Sequence, residues 1–424
     1  MPARWLSDSR SDILRRVHGG QNRSVDIALI MHELLIEGGG ERQCLCLAQA
    51  LARRGHQVAV YTSAYDRANC FPDICEGFDV KDVGRGALGW IKKPLPVRGY
   101  LDMRRLASVV DEKHEIWHPN HWPAQWGALW LKRKLGGAVL WMCNDVPNFY
   151  DKAIRPRSIK NAALMPLYWL YYLYDRAQNR KVDLTLLLSK WAESEYKAVY
   201  PGPTQIVHSG ADPDRFAPGG DREKIRSRFG FSEGEFVLLW LGIFMPHRHL
   251  EDAIEAVARL RSNGSKVRLL LAGSDRSYPD YLRRLKQLAL SRGLKEQVIF
   301  AGKVEDEEIR DFYAACDAFL FPNNKQTWGL VVLEAMACGC LTIVSTGAGV
   351  HEVLTDGENA ILFPPRDIKA LTEKIAWLVD SPRERATIAS KGMKLVRESY
   401  NWDRFADHIE ALCDQTSVSQ HTAS

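Results

Sequence analysis

The sequence has 424 residues, 46% of them hydrophobic and 26% charged, with a formal net charge of +5. That length exceeds what one core usually serves and predicts two domains of roughly 200 residues each, while the composition excludes a chain disordered over most of its length. The small positive excess gives no reason to expect a nucleic-acid partner. Nine cysteines lie without the paired C-x2-C spacing of a zinc site, so they read as reduced core residues of a cytoplasmic protein, and neither a metal nor a cofactor is expected. No run of about 18 apolar residues occurs, and residues 1–24 carry five arginines among polar neighbours without a signal core.

In chain order, VDIALIMHELL from Val25 reads as a buried strand entering the turn Gly38-Gly39-Gly40. ERQCLCLAQALARRG then has helical spacing and ends on Gly55, and HQVAVYTS gives the next strand. This order opens a doubly wound parallel sheet. Cys70 to Tyr100 is less regular, and EIWHPN, AVLWMCND and DLTLLLS follow as short strands. PGPTQIVHSGADPDRFAPGGD, residues 201–221, reads as a linker. Beyond it FVLLWLG, KVRLLLAG, QVIFAG, AFLFPN and LTIVST are strand-length apolar runs separated by amphipathic helices closed by Gly. The expected divisions are a polar leader 1–24, domains 25–205 and 206–395, a helix 396–412 and a polar tail 413–424.

Chemistry concentrates at loop-to-helix junctions. In FPNNKQTWGLVVLEAMACGC, residues 321–340, a helix beginning near Trp328 would present the amides of Gly329, Leu330 and Val331 to a phosphate. Gln326 and Glu334 stand roughly 9 Å apart at ~1.5 Å per residue, about the reach from a transferred sugar to a ribose. An ordinary loop before a buried helix is the other reading. After Gly242, Arg248 is the phosphate-binding candidate, flanked by His247 and His249. HPNHWPAQW carries His118 and His121 after a strand, as sugar-gripping or structural residues. TGAGVHEV offers Gly347 and Gly349 as a second loop or a plain tight turn. The basic aromatic stretch 150–181 reads either as a helix packed between domains or as a face resting on anionic lipid.

Together GGGER with ALARRGHQVAVYT, SKWAESEYKAVYP with HSGAD, VIFAGKVEDEEIRDFYAACDAFLFP and WGLVVLEAMACG resemble the retaining glycosyltransferases of family 4. The resemblance covers most of residues 25–412. It implies an α/β, GT-B fold of two Rossmann-like doubly wound domains facing a central cleft, and metal-independent transfer of a hexose, mannose or glucose, from a nucleotide-diphosphate sugar. A glycolipid, polysaccharide or other glycan as acceptor would fit the basic aromatic stretch 150–181. By position, Glu334 would bind the ribose, Arg248 stands where the family has a diphosphate-binding Lys, His121 matches the histidine beside the transferred sugar, and Gly39 and Gly40 match the N-terminal glycine turn. A C-terminal helix crossing back to the first domain matches SYNWDRFADHIEAL.

Two positions depart from that pattern. Gln326 replaces the first Glu of the E-x7-E motif, and Ile243 replaces an Arg of the phosphate loop. An amide cannot be a carboxylate nucleophile, so retention would come from same-face attack, the leaving phosphate taking the acceptor's proton. His247, His249 or another basic residue would then have to supply the missing cation. A nucleotide-sugar-binding protein without turnover is an alternative. An NAD-dependent oxidoreductase is disfavoured by the lack of a complete Gly fingerprint.

Overall fold

The structure, a computed structural model, describes residues 23–36, 38–75, 77–87, 96–145, 165–274 and 278–421. These fall into two compact units, one running to His208 and resuming at Trp402, the other comprising Ser209–Asn401. The chain therefore passes between units slightly beyond the expected boundaries at 205 and 395.

The first unit contains β1 (Asp26–Met31), α1 (Gly39–Arg53), β2 (Gln57–Thr62), β3 (Asp79–Asp82), α2 (Pro96–Val109), β4 (Ile116–Asn120), α3 (Ala124–Leu135), β5 (Ala138–Met142), α4 (Met165–Asn179), β6 (Leu184–Leu187), α5 (Lys190–Val199) and β7 (Thr204–Ile206). Its strands form one parallel sheet in the order β3-β2-β1-β4-β5-β6-β7. Strands covered on both faces must be largely apolar, which is why β1 and β5 show almost no polar alternation. Trp117, Trp126 and Trp141, all fully buried, fill the core beside Ala28, Ile30 and Tyr196.

The second unit contains α6 (Arg222–Arg228), β8 (Phe236–Leu241), α7 (Leu250–Ser262), β9 (Val267–Ala272), α8 (Pro279–Ser291), β10 (Val298–Gly302), α9 (Ile309–Ala315), β11 (Ala318–Phe321), α10 (Leu330–Ala337), β12 (Thr342–Ser345), β13 (Ile361–Phe363), α11 (Ile368–Val379) and α12 (Pro382–Ser399). The parallel order is β10-β9-β8-β11-β12-β13. In both units the strand order reverses beside the first strand, between β1 and β4 and between β8 and β11. Open α/β sheets bind ligands outside the carboxyl ends of the strands at such reversals.

Several expectations need correction. The stretch 201–221 is not all linker, because Thr204–Ile206 pairs with β6 as an edge strand. No polar tail begins at 413: the last helix, α13 (Trp402–His421), continues through buried Cys413 and Thr416. Residues 1–22 and 146–164, which include most of the expected leader 1–24 and part of the basic aromatic stretch, lie outside the described residues.

The final helix belongs to the first unit, where it packs on α1 through buried Phe405, Ile409 and Leu412. A polar clasp fixes its register. Arg54 bonds Asp407 at 2.8 Å and Glu410 at 3.0 Å, and the His56 ring meets Glu410 at 2.9 Å. Burial disfavours the Glu410 carboxylate, but hydrogen bonds from His56 and Arg54 outweigh it and hold the group below its ordinary value. A depressed carboxyl value stabilises the fold above the unfolded-state value and stops doing so as pH falls through the folded one. Glu410→Gln should therefore lower unfolding free energy by about 1–3 kcal/mol near neutral pH. In chemical denaturation below pH 4.5 the difference from the parent should shrink.

Candidate active site

In the second unit three loops meet at the carboxyl ends of β8, β11 and β12. The β8 strand ends on Gly242 at φ 153, a conformation that suits glycine, and a Cβ there would stand 3.8 Å from Nη1 of Arg248. Arg248 thus lies over the end of the strand, at the close of a short turn, Pro246–Arg248, that feeds α7. Gly273, at φ 145, lets the neighbouring loop pass, since a Cβ on it would fall 1.6 Å from the Gly242 carbonyl oxygen. The loop after β11 is tied to the Arg248 turn by the Asn324 N–H donating to the His247 carbonyl at 3.1 Å. It is tied to the loop after β12 by two more bonds, Gln326 N–H to Gly347 O at 3.3 Å and Gly349 N–H to Gln326 O at 2.8 Å. The glycines of TGAGVHEV therefore brace the segment that carries Gln326.

The α10 helix begins at Leu330, two residues later than expected, with Trp328 and Gly329 buried just ahead of it. The Val332 N–H bonds the Gly329 carbonyl at 3.0 Å, so the amides of Gly329, Leu330 and Val331 lie at the positive helix end. Glu334 follows in the second turn and is only 4% exposed. Asn323 is fully buried, with neither amide atom bonded among the described residues.

The charges of this site differ from those the sequence suggested. Burial, aided by the Arg248 charge, pushes His247 down to about 4, while a hydrogen bond with Gln326 opposes the shift. Burial and Arg366 likewise lower His249, whose Nδ1 takes a hydrogen bond from Arg366 at 2.9 Å. Both rings are neutral at pH 7, so neither replaces the cation missing at Ile243.

In the first unit the Gly38–Gly40 turn opens α1 beside the loop after β4. A Cβ on Gly40 would fall 1.8 Å from Nε2 of His121, which shows how closely the backbone and the ring are packed. His121 has φ 61, and the Asn144 amide reaches its Nε2 at 3.3 Å while also donating to Gln43 Oε1 at 2.7 Å. Burial pushes His121 to about 4, so it is a neutral hydrogen-bonding group rather than an acid. His118 is enclosed within β4 and likewise held near 4 by burial. The sequence pairing of the two histidines thus separates into one loop residue and one core residue. Glu41, next to the glycine turn, is lifted to about 7 by burial against an opposing backbone hydrogen bond.

Sequence reasoning missed a second group at the end of β1. His32 follows the strand directly, and its Nε2 meets the buried Asp102 carboxylate of α2 at 2.9 Å. Arg98 bonds both Asp102 and Glu33, and Arg85 pairs with Glu33 at 2.7 Å. The 70 residues between His32 and Asp102 leave no spacing signal; the position of a histidine immediately after the first strand is the one available cue.

Residues 221–395 match the family described as Glycosyl transferases group 1, and residues 37–215 match Glycosyltransferase Family 4. A D-inositol 3-phosphate glycosyltransferase of Geodermatophilus obscurus is 26% identical over 416 residues, covering 91% of this chain and 87% of the relative. Sucrose-phosphate synthase of Thermosynechococcus elongatus superposes with a TM-score of 0.75 at 22% identity, over 94% of this chain and all of that one. The Anabaena HepE structure with UDP and glucose gives 0.73 at 18% identity, over 92% and 99%. With two Rossmann-like sheets and these matches over both halves, the chain belongs to the GT-B, group 1 and family 4-like glycosyltransferases.

Proposed function

We propose that the protein transfers a hexose, glucose or mannose, from a nucleotide-diphosphate sugar to a hydroxyl of a glycan, polysaccharide or glycolipid acceptor, with retention and without a metal. The observation that carries the reading is the convergence of Arg248, the α10 amides, Gln326 and Glu334 around the carboxyl ends of β8 and β11. As the bond from C1 to the diphosphate breaks, Arg248 and the amides of Gly329, Leu330 and Val331 stabilise the departing charge. Glu334 accepts hydrogen bonds from the ribose hydroxyls. Gln326, neutral and set against the neutral His247 ring, orients the sugar and cannot attack it. The exposed Lys325, in the same loop, supplies the second cation in place of Ile243. HepE, which holds UDP and glucose, makes uridine nucleotides the first to try.

A second reading, a nucleotide-sugar-binding protein without turnover, draws on the neutral His247 and His249 beside Ile243. Nucleotide binding alone does not separate the two, whereas release of the diphosphate from its sugar does.

Thermal unfolding of the full chain with UDP, GDP, ADP and NAD, each with and without EDTA, tests the donor class. One nucleoside diphosphate should stabilise the protein by about 2.7 kcal/mol at 100 times its dissociation constant, unaffected by EDTA. A shift with NAD alone would refute the transferase reading. Glu334→Ala and Arg248→Ala should each remove most of that shift.

We further propose peripheral contact with an anionic membrane at the cytoplasmic face. Support comes from α4, where Leu167, Trp169, Leu170 and Leu173 are exposed, with side-chain exposure reaching 65% at Leu170. Co-sedimentation with phosphatidylglycerol vesicles at low salt should show binding that Leu170→Asp with Leu173→Asp weakens at least tenfold. Equal binding by parent and variant would remove α4 from the contact.

A further inference from the structure

Five non-glycine residues among those described have positive φ, and three of them, His249 at 50, Lys325 at 56 and Arg366 at 67, stand in the loops around the crevice of the second unit. Residues with a side chain seldom adopt that conformation and keep it only where the surrounding contacts enforce it. His249 and Arg366 meet each other. Nη1 of Arg366 donates to Nδ1 of His249 at 2.9 Å and to Oδ1 of Asp252 at 2.8 Å. His249 stands directly ahead of α7 and Asp252 lies in its first turn, so one guanidinium nitrogen ties the loop after β13 to the turn that carries Arg248.

That tie completes a circuit of loops within the second unit. The Arg248 turn holds the loop after β11 through the Asn324 N–H and the His247 carbonyl. The loop after β12 lies between its neighbours, since a Cβ on Gly347 would fall 2.7 Å from Oδ1 of Asn324 and 3.1 Å from Cβ of Pro365. Pro365 precedes Arg366, which returns to His249. Asp252 anchors this last link from behind. Its side chain is 2% exposed, and among the described residues Arg366 is the one cation paired with it. A buried carboxylate is costly without its partner, so the guanidinium is held where it is. His249 accepts at Nδ1 only as a neutral ring, the form that burial and the Arg366 charge both favour.

We propose that Arg366 is a positioning residue: by clamping His249 and Asp252 it fixes the turn from which Arg248 meets the diphosphate of the donor. Arg366 acts through Arg248 rather than on the donor. The inference rests on the reading of Arg248 as the diphosphate-binding group and adds the residue that aims it.

Calorimetric titration of the full chain with UDP, GDP and ADP tests this, in the parent, Arg366→Met, Arg366→Lys, Arg248→Ala and the Arg248→Ala/Arg366→Met pair. Residues of one hydrogen-bond network couple, so Arg366→Met should weaken binding of the preferred diphosphate by about 10-fold or more in the parent but by less than about twofold once Arg248 is gone. Arg366→Lys, which keeps a charged donor, should bind within about threefold of the parent. If Arg366→Met does not fold, Arg366→Met with Asp252→Asn, which leaves no buried charge unpaired, takes its place. Binding by Arg366→Met within about threefold of the parent, equal losses with and without Arg248, or no recovery in Arg366→Lys each overturn the proposal. A parent that binds none of the three diphosphates removes the transferase reading itself.

Discussion

Pairing of parallel strands covered on both faces is the constraint from which the chemistry of this chain follows. Such a strand has no solvated side, so β1, β4, β5, β8 and β11 can carry few polar groups along their length. His118 shows what happens when one does: inside β4 it is driven near 4 by burial and remains neutral. Reactive groups are thereby confined to the loops beyond the strand ends. There, helix N-termini and close-passing backbone at Gly40, Gly242 and Gly273 shape what can bind.

Electrostatics within the second unit follow from the same burial. Of the consecutive basic residues 247–249, only Arg248 holds its charge at neutral pH, since burial leaves both histidines uncharged. Beside a neutral His247 an amide at 326 leaves no buried charge unpaired, whereas a carboxylate would have to be paired or neutralised. Relative to the family pattern, Ile243 removes one positive group and Gln326 removes one negative group. The formal charge of the loops is unchanged, so the two departures are physically consistent with each other.

The long apolar strands were legible because burial on both faces writes itself as uninterrupted hydrophobic runs; FVLLWLG and KVRLLLAG became β8 and β9 with ends within a residue or two. Of the edge strands only β10 was, as QVIFAG. Asp79–Asp82 is polar at three of its four positions, and Thr204–Ile206 and Ile361–Phe363 are three residues each, the former inside a Pro/Gly-rich stretch, so neither periodicity nor length marked them. Arg248, Gln326 and His121 stood out in the sequence because each sits at a strand-to-helix junction, and Glu334 because it follows one in the same helix. The protonation of His247 and the clasp of Arg54 on Glu410 depend on distant segments packing together, and no local pattern encodes them. The same is true of the His32–Asp102 pair.

Both units share one strand order, yet their crevices are chemically distinct. In the second, a guanidinium and helix amides collect positive character with a buried acid at its far side, which suits an anionic diphosphate attached to a polyol. In the first, the Asn144 amide, itself bonded to Gln43, meets a neutral imidazole, and the guanidinium groups of Arg85 and Arg98 are already matched by Glu33 and Asp102. The fold dictates where each crevice lies, and the residues decide its chemistry.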